Sequence, residues 1–331
     1  MNLQNRIDLL SFLGEYLKQN TDEWQSVKKE ASAKNPWFTE AFIHIATKNI
    51  VEKYLSKSEL EIWTHHYHLD DLIAPKQIGI VMAGNIPMVG FHDFLSVFIS
   101  GHKQTIKLSS KDDVLLKFLI EKLYQFEPQT AAFITIAENL KGCDAYIATG
   151  SNQTANHFEQ YFGKYPSIIR RNKTSVAVLT GAETNEELES LSKDIHYYFG
   201  LGCRNVTKIF VPEDYDFITL LASFHQFKHF RDFMKYSNNY DFQLSLLLLN
   251  NVKYMSNEST LLVENENYFS PISVLFYEYY KTPEKLTEKL SQSVDLQCIV
   301  GNGYIPFGNA QTPNLFSYAD GIDTMEFLLT C

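Results

Sequence analysis

Cysteine is scarce in this chain. Cys143, Cys203, Cys298 and Cys331 stand alone, with no CxxC pair, which excludes a disulfide scaffold and a zinc knuckle. Positive charge is also short: 29 Lys and Arg against 39 Asp and Glu leave a net charge of −10. A general nucleic-acid binder needs the opposite balance to neutralise phosphates, so no nucleic-acid partner is expected. No uncharged run reaches membrane-spanning length; the apolar LSLLLLN at 244–250 is strand-sized. The opening MNLQNRIDLLSFLGEYLKQN breaks its apolar pattern with acidic and polar residues, unlike a secretory signal. No repeat, low-complexity tract or Ser/Gly linker is present, so domains must meet through short crossings. A soluble cytoplasmic protein is the expectation.

What is present is a core. The 331 residues suffice for two domains, and 45% hydrophobic with 21% charged residues is globular rather than disordered composition. Aromatics are abundant, with 24 Phe and 19 Tyr, enough for a thick core or an apolar pocket. Ile7, Leu10, Leu13 and Leu17 fall at helical spacing over 3–19, Asn35-Pro36 opens a second helix over 38–55, and another helical piece runs through Trp63. From residue 77 strand and helix alternate. QIGIVMAGN, HKQTIKLSS, AAFITIAEN and DAYIATGS read as strands, with helices predicted at 89–99, 112–124 and 153–162. Such alternation argues for a parallel sheet with helices on its faces, and ligands on such sheets bind at the carboxyl ends of strands. Asn85, Lys107 and Gly150-Ser151 lie at such ends.

Further on, SVAVLTG (175–181) reads as a strand, LESLSKDIHYYFG as a helix, VTKIFVP as a strand and 217–235 as helical. FQLSLLLLN is read as a strand, followed by strand 274–279, helix 283–291, strand LQCIVGNG and a loop-rich tail with strand-like last residues. His65, His66 and His68 do not share a helix face, and His225 and His229 lack a carboxylate motif, so no metal site is expected.

The stretch GLGCRNVTKIFV (200–211) carries the chemistry. Gly200 and Gly202 permit a tight turn on which Cys203 can expose its sulfur and lend its backbone N–H to a carbonyl oxygen. Arg204 beside it favours thiolate, the form that attacks carbonyls. His196, seven residues earlier, reads as a helix-surface histidine rather than a proton donor. Arg170, Arg171 and Lys173 read either as contacts for phosphates or as a solvated basic turn.

Five motifs in order resemble the aldehyde dehydrogenase superfamily: AGNIP (83–87), Lys107 with Ser109, ATGS (148–151), Cys203, and PFG (306–308). GLGCRNVTKIFVP and FGNAQTPNLFSYADG are most similar to the acyl-CoA reductases related to the fatty-acid reductase subunit of bacterial luminescence. The resemblance spans roughly residues 74–331. It implies an α/β, aldehyde-dehydrogenase-like fold: N-terminal helices with a Rossmann-type cofactor-binding domain (1–172), an α/β catalytic domain carrying Cys203 (173–308), and a C-terminal segment (309–331) returning to the cofactor domain. It assigns Cys203 as nucleophile, Asn85 as oxyanion donor, and Lys107, Ser109, Ser110, Gly150, Ser151, Asn267 and Phe269 to the cofactor. The chain is short for the superfamily, so an oligomerisation hairpin is expected to be reduced or missing.

Departures from the pattern refine the expectation. Where the superfamily carries a general-base Glu, SIIRRNKTSVAV has no carboxylate. An aldehyde oxidiser needs that base to activate water, whereas a reductase needs a thioester that waits for hydride. Ser110-Lys111 replaces an acid that would repel a 2′-phosphate, favouring NADPH, with NADH as the alternative. Ala155 and Asn267 stand where relatives carry Gly and Glu. The resemblance therefore implies NADPH-dependent reduction of a long-chain acyl-CoA or acyl-carrier thioester to the aldehyde. Aldehyde oxidation and a non-catalytic role in a lipid-metabolising complex are the alternatives. A homo-oligomer or a complex with acyl-activating enzymes is the implied assembly.

Overall fold

The computed structural model describes residues 1–70 and 74–331, which form two compact units: Met1–Asn172 with Pro313–Cys331, and Lys173–Thr312. The first begins with four helices, α1 (Leu3–Lys18), α2 (Asp22–Lys34), α3 (Glu40–Lys53) and α4 (Lys57–His66). Asn2, Thr21 and Thr39 cap the first three, each side chain accepting a backbone N–H from the first turn. Helix α2 escaped the sequence reading because its only buried residues are Trp24, Lys28 and Ala31, a thin i, i+4, i+7 stripe on a polar segment.

A five-stranded parallel sheet follows, built from β1 (Gln77–Val81), β2 (Lys103–Lys107), β3 (Ile134–Ile136), β4 (Ala145–Thr149) and β5 (Ser167–Arg170) in the order β3-β2-β1-β4-β5. Helices α5 (Phe91–Ser100), α6 (Val114–Phe126) and α7 (Asn152–Phe162) connect the strands. This is the doubly wound pattern, in which strand order reverses beside β1. Nearly all of α5 is buried, which explains its run of large apolar residues.

Arg170 closes this unit from inside. The sequence left open a solvated basic turn, but Arg170 is 3% exposed, paired with Asp93 of α5, and donates to Thr324 Oγ1 at 2.8 Å. Thr324 begins the C-terminal helix Thr324–Thr330, where strand-like residues were expected; Asp323 caps that helix by accepting the Glu326 N–H. Arg171, by contrast, is exposed and bonds to Asn156 and Glu159. Asp93→Ala would strand the Arg170 charge in an apolar interior, and is expected to cost about 3–5 kcal/mol in urea denaturation.

The second unit holds a six-stranded sheet in the order β11-β6-β7-β10-β9-β8, parallel except for β8 against β9. In chain order its elements are β6 (Thr174–Val178), α8 (Asn185–His196), β7 (Val206–Pro212), α9 (Phe217–Ser223), α10 (Met234–Leu249), β8 (Met255–Ser256), β9 (Leu261–Glu264), β10 (Val274–Tyr280), α11 (Pro283–Ser291) and β11 (Leu296–Gly301). The α/β class expected from the alternation is the one observed. FQLSLLLLN is not a strand but the end of α10. Its leucines carry no β-branch, and Tyr240, Leu244 and Leu247 pack on one side against Leu261, Val263 and Phe276 while Leu248 and Leu249 face solvent. The expected helix over 217–235 is α9 followed by 3-10 turns over Phe224–Asp232.

Candidate active site

In the first unit, strand register gathers the candidate cofactor residues at one edge. Val81 pairs with Lys107 on one side and Ala148 on the other, so the loops after β1, β2 and β4 emerge side by side. Asn85, Lys107, Ser110 and Ser151 are exposed there, and Ser109 and Gly150 are half-buried. The β1 and β2 loops touch closely: a Cβ on Gly84 would meet Ser109 Oγ at 2.5 Å. Only glycine fits that crossing. Ser151 caps α7 by accepting the Thr154 N–H at 3.3 Å, leaving an exposed helix N-terminus suited to an anionic group. Ala155, in the helix's first turn and fully buried, accommodates its methyl without displacing this cap. These residues fit a dinucleotide: hydroxyls and a lysine at one strand end, and a capped helix start at the other.

In the second unit, Cys203 sits half-buried on a turn between α8 and β7, held by Asn205. Asn205 is fully buried. Its Oδ1 accepts the Gly202 N–H at 2.8 Å, and its Nδ2 lies 3.0 Å and 2.8 Å from the Asp194 and Tyr197 carbonyls. One side chain thereby terminates the helix and fixes the turn carrying the thiol. The predicted helix through YYFG stops at His196; Tyr198 and Phe199 both have φ of 55°, and Gly200 has φ of 77°. Two aromatic residues in the left-handed region are strained, and persist because their surroundings hold them. Phe199 is 4% exposed and packs on Phe230, Phe233 and Tyr236 with ring separations of 4.6, 4.9 and 5.6 Å.

Beneath the turn, Ser175 Oγ donates to the Cys203 carbonyl at 3.0 Å and lies 3.1 Å from Cys298 Sγ. Burial pushes the Cys298 thiol up, and the Arg204 charge partly opposes this. Arg204 thus acts on a second cysteine that sequence reading did not connect to the turn.

His196 is not a surface histidine. It is 3% exposed, with Nδ1 on the Ser192 carbonyl at 2.7 Å, Nε2 on Thr260 Oγ1 at 2.8 Å, and its ring stacked on Phe227. Burial lowers it to about 4, with the Ser192 bond opposing, so it is neutral at pH 7 and both nitrogens are engaged. A folded value below the unfolded one means stability present above about pH 6.5 and lost as pH falls toward 4, by about 3 kcal/mol. Asp194, buried and pushed up to about 7 despite accepting the Gly308 and Ala310 N–H groups, loses stability in the opposite sense as pH rises from 3.8. His196→Gln is therefore expected to remove the acid-side loss, read as the wild-type minus variant difference in denaturation midpoint, and to leave the pH profile of turnover unchanged. Asp194 also ties the PFG loop (306–308) to α8 within this unit.

Asn267 and Phe269 are exposed on the loop between β9 and β10. That loop is pinned by Lys208 Nζ on the Glu266 carbonyl at 2.7 Å and Thr207 Oγ1 on the Tyr268 carbonyl at 2.6 Å. Lys208 is fully buried and paired with Glu278 at 2.5 Å; burial lowers its pKa and Glu278 opposes. Among the described residues, no group of three His, Cys, Asp or Glu side chains is placed to hold a metal ion. Nor is any helix among them long and apolar enough to cross a membrane.

No model of a known protein family matches the sequence, and no curated protein is detectably similar to it. Solved structures are similar in fold. Aldehyde dehydrogenase 21 from Physcomitrella patens, in complex with its product succinate, superposes with a TM-score of 0.66 at 11% identity, over 91% of this chain and 74% of that one. An indole-3-acetaldehyde dehydrogenase from P. syringae with NAD+ gives 0.62 at 11% identity over 91% and 72%. An NADP-dependent enzyme from E. coli gives 0.65 at 10% identity over 91% and 73%. The chain has the aldehyde dehydrogenase fold, with a Rossmann-type sheet in the first unit and a second, mostly parallel sheet in the other.

Proposed function

We propose that this protein reduces a long-chain acyl-CoA thioester to the aldehyde with NADPH through an acyl-Cys203 thioester. The observation that carries the reading is the Cys203 turn, held by Asn205 and Ser175, in a chain with no carboxylate between residues 160 and 182 to activate water. The Cys203 thiolate attacks the thioester carbonyl. Its own backbone N–H stabilises the oxyanion, with Asn85 assigned as second donor. The tetrahedral adduct collapses, breaking the bond to the CoA sulfur and leaving the acyl group on Cys203. Both thiolates are alkyl thiolates of similar basicity, so no strong general acid is required, in keeping with a neutral, fully engaged His196. NADPH, when bound, would supply the hydride that the acyl carbon accepts; the thiohemiacetal oxyanion then left on Cys203 collapses by breaking its bond to Sγ, releasing the aldehyde and restoring the thiolate. Lys107, Ser109, Ser110, Gly150, Ser151, Asn267 and Phe269 would hold the cofactor.

NADPH over NADH is supported by the fate of the acids that follow Lys107. Asp112 is buried, and Asp113 is held by Lys34 at 2.6 Å, so neither offers a free carboxylate to a ribose. An apolar acyl chain is supported by a shallow, open groove of about 400 Å³ in which Leu290, Leu296, Ile299 and Ile305 outweigh the polar Ser293 and Gln297, and which includes Cys298, 3.1 Å from Ser175 Oγ. The test is NADPH absorbance with acyl-CoAs of increasing length: consumption that rises with chain length is expected, and none with any acyl thioester contradicts the reading. The aldehyde dehydrogenases among the structural neighbours favour a second reading, aldehyde oxidation. Aldehyde-dependent NAD+ reduction releasing free acid would establish it instead.

A further inference from the structure

Asn85 is carried by the loop leaving β1, and one buried carboxyl holds that loop. Met88 N–H donates to Asp112 Oδ2 at 2.6 Å. Met88 is 3% exposed with φ of 54°, a left-handed conformation that methionine rarely adopts. Its carbonyl accepts the Phe91 N–H at 3.0 Å, so the same residue sets the entry to α5. On the other side the loop is seated by Gly84, which leaves room for Ser109 and lies against Asp112 Cβ. Asp112 is itself placed by its N–H on the Ser109 carbonyl at 2.9 Å. A strained, buried residue stays put only where neighbours over-determine it. Asp112 does so here through the side-chain hydrogen bond it accepts from the Met88 N–H.

We propose that Asp112 is the positioning residue of the Asn85 loop, transmitting the placement of the Lys107–Ser110 strand end to residues 83–88. Without its carboxyl, the Met88 N–H is a buried unsatisfied donor, Met88 relaxes toward negative φ, and Asn85 three residues upstream moves with it. The bond is also titratable. Burial pushes Asp112 up to about 7, the Met88 N–H opposes, and neighbouring Asp113 adds to the rise. Its Oδ1 has no hydrogen-bond partner among the described residues. Lys107 and Lys111 flank this turn in the sequence, and Lys34 of α2 is engaged by Asp113 at 2.6 Å. Above pH 7 the carboxylate accepts the Met88 N–H more strongly than the neutral acid below it.

The catalytic consequence rests on the proposed acyl-thioester reduction; the loop geometry does not. The chain has 6 methionines, so selective ¹⁵N-methionine labelling gives a short amide spectrum in which Met88→Leu assigns one peak. The Met88 amide is expected to titrate near pH 7 in the wild type, to stop titrating in Asp112→Asn with its exchange protection kept, and to lose protection about tenfold in Asp112→Ala. A Met88 amide that does not titrate in the wild type, or one equally protected in Asp112→Ala, overturns the proposal. In turnover, Asp112→Ala is expected to lower kcat with the NADPH KM little changed, and Asp112→Asn to restore it at pH 6; an unchanged kcat in Asp112→Ala also overturns the positioning role. A wild type that consumes no NADPH while its Met88 amide titrates defeats the functional reading and leaves the loop device standing.

Discussion

Cys203→Ala is expected to lower acyl-CoA-dependent NADPH consumption by at least ~10³-fold, to background, while NADPH binding and the thermal midpoint change little. The reasoning is chemical. A nucleophile that carries the acyl group has no substitute among the other cysteines: Cys143 is buried in the first unit, and Cys331 follows the C-terminal helix. Cys298 is the nearest rival. Its thiol is buried, raised by that burial, and engaged with Ser175 Oγ, so it is a poor thiolate at pH 7. Truncating the half-buried Cys203 removes one sulfur without opening the core, which is why stability should hold. Cofactor binding, measured by NADPH fluorescence, separates a chemical defect from a folding one.

Asn205→Ala is expected to be the opposite case, destabilising and inactivating together. The substitution deletes the acceptor for Gly202 N–H and the donor to the carbonyls that end α8, all in a fully buried place. At about 1 kcal/mol for each bond, more for the buried N–H left without a partner, the loss is about 2–4 kcal/mol in denaturant unfolding. The strain at Tyr198 and Phe199 depends on the same hub, since Nδ2 holds the carbonyl of Tyr197, the residue immediately before them. Turnover should fall by ~10²-fold or more even at a temperature where the variant is fully folded, because the Cys203 turn is no longer fixed. Asn205→Asp keeps an acceptor for Gly202 N–H but loses the donor, so it separates the two functions of the amide.

The parts of the site that declared themselves in the sequence are those with local rules. Strand-to-turn signals located the ends at Asn85, Lys107 and Gly150, and the sheet order brings those ends together because parallel strands share a direction. The two glycines before Cys203 mark a turn for the same local reason, and Gly200 does take a positive φ. Local rules mislead where tertiary burial decides. The leucine run of 244–249 carries no periodicity that distinguishes strand from helix; only the partners of Tyr240 and Leu247 settle it. His196 read as a surface residue, and Arg170 as either a phosphate contact or part of a solvated turn, because polar residues are usually exposed, yet each is buried with bonds supplied by residues distant in the chain, Thr260 and Thr324.

The buried carboxyls Asp112 and Asp194 were invisible for a related reason. In sequence they are ordinary acids in polar stretches; in the fold each accepts backbone N–H groups of a loop, one beside Asn85 and one at PFG. Nothing short of the long-range partner distinguishes such an acid from a solvated one. Asn205 had a signal that could have been used: an Asn immediately before a strand and shortly after a glycine pair is a frequent turn latch. Its reach back to the carbonyls ending α8 required coordinates.

The central claim is that Cys203 carries the acyl group. Incubating the protein with a long-chain acyl-CoA without NADPH and digesting it for mass spectrometry tests this most directly. The account predicts a mass increase of one acyl group on the peptide containing Cys203, discharged as aldehyde when NADPH is added. An unmodified Cys203 peptide in a preparation that turns over substrate, or an adduct that leaves as free acid on NADPH addition, would contradict it.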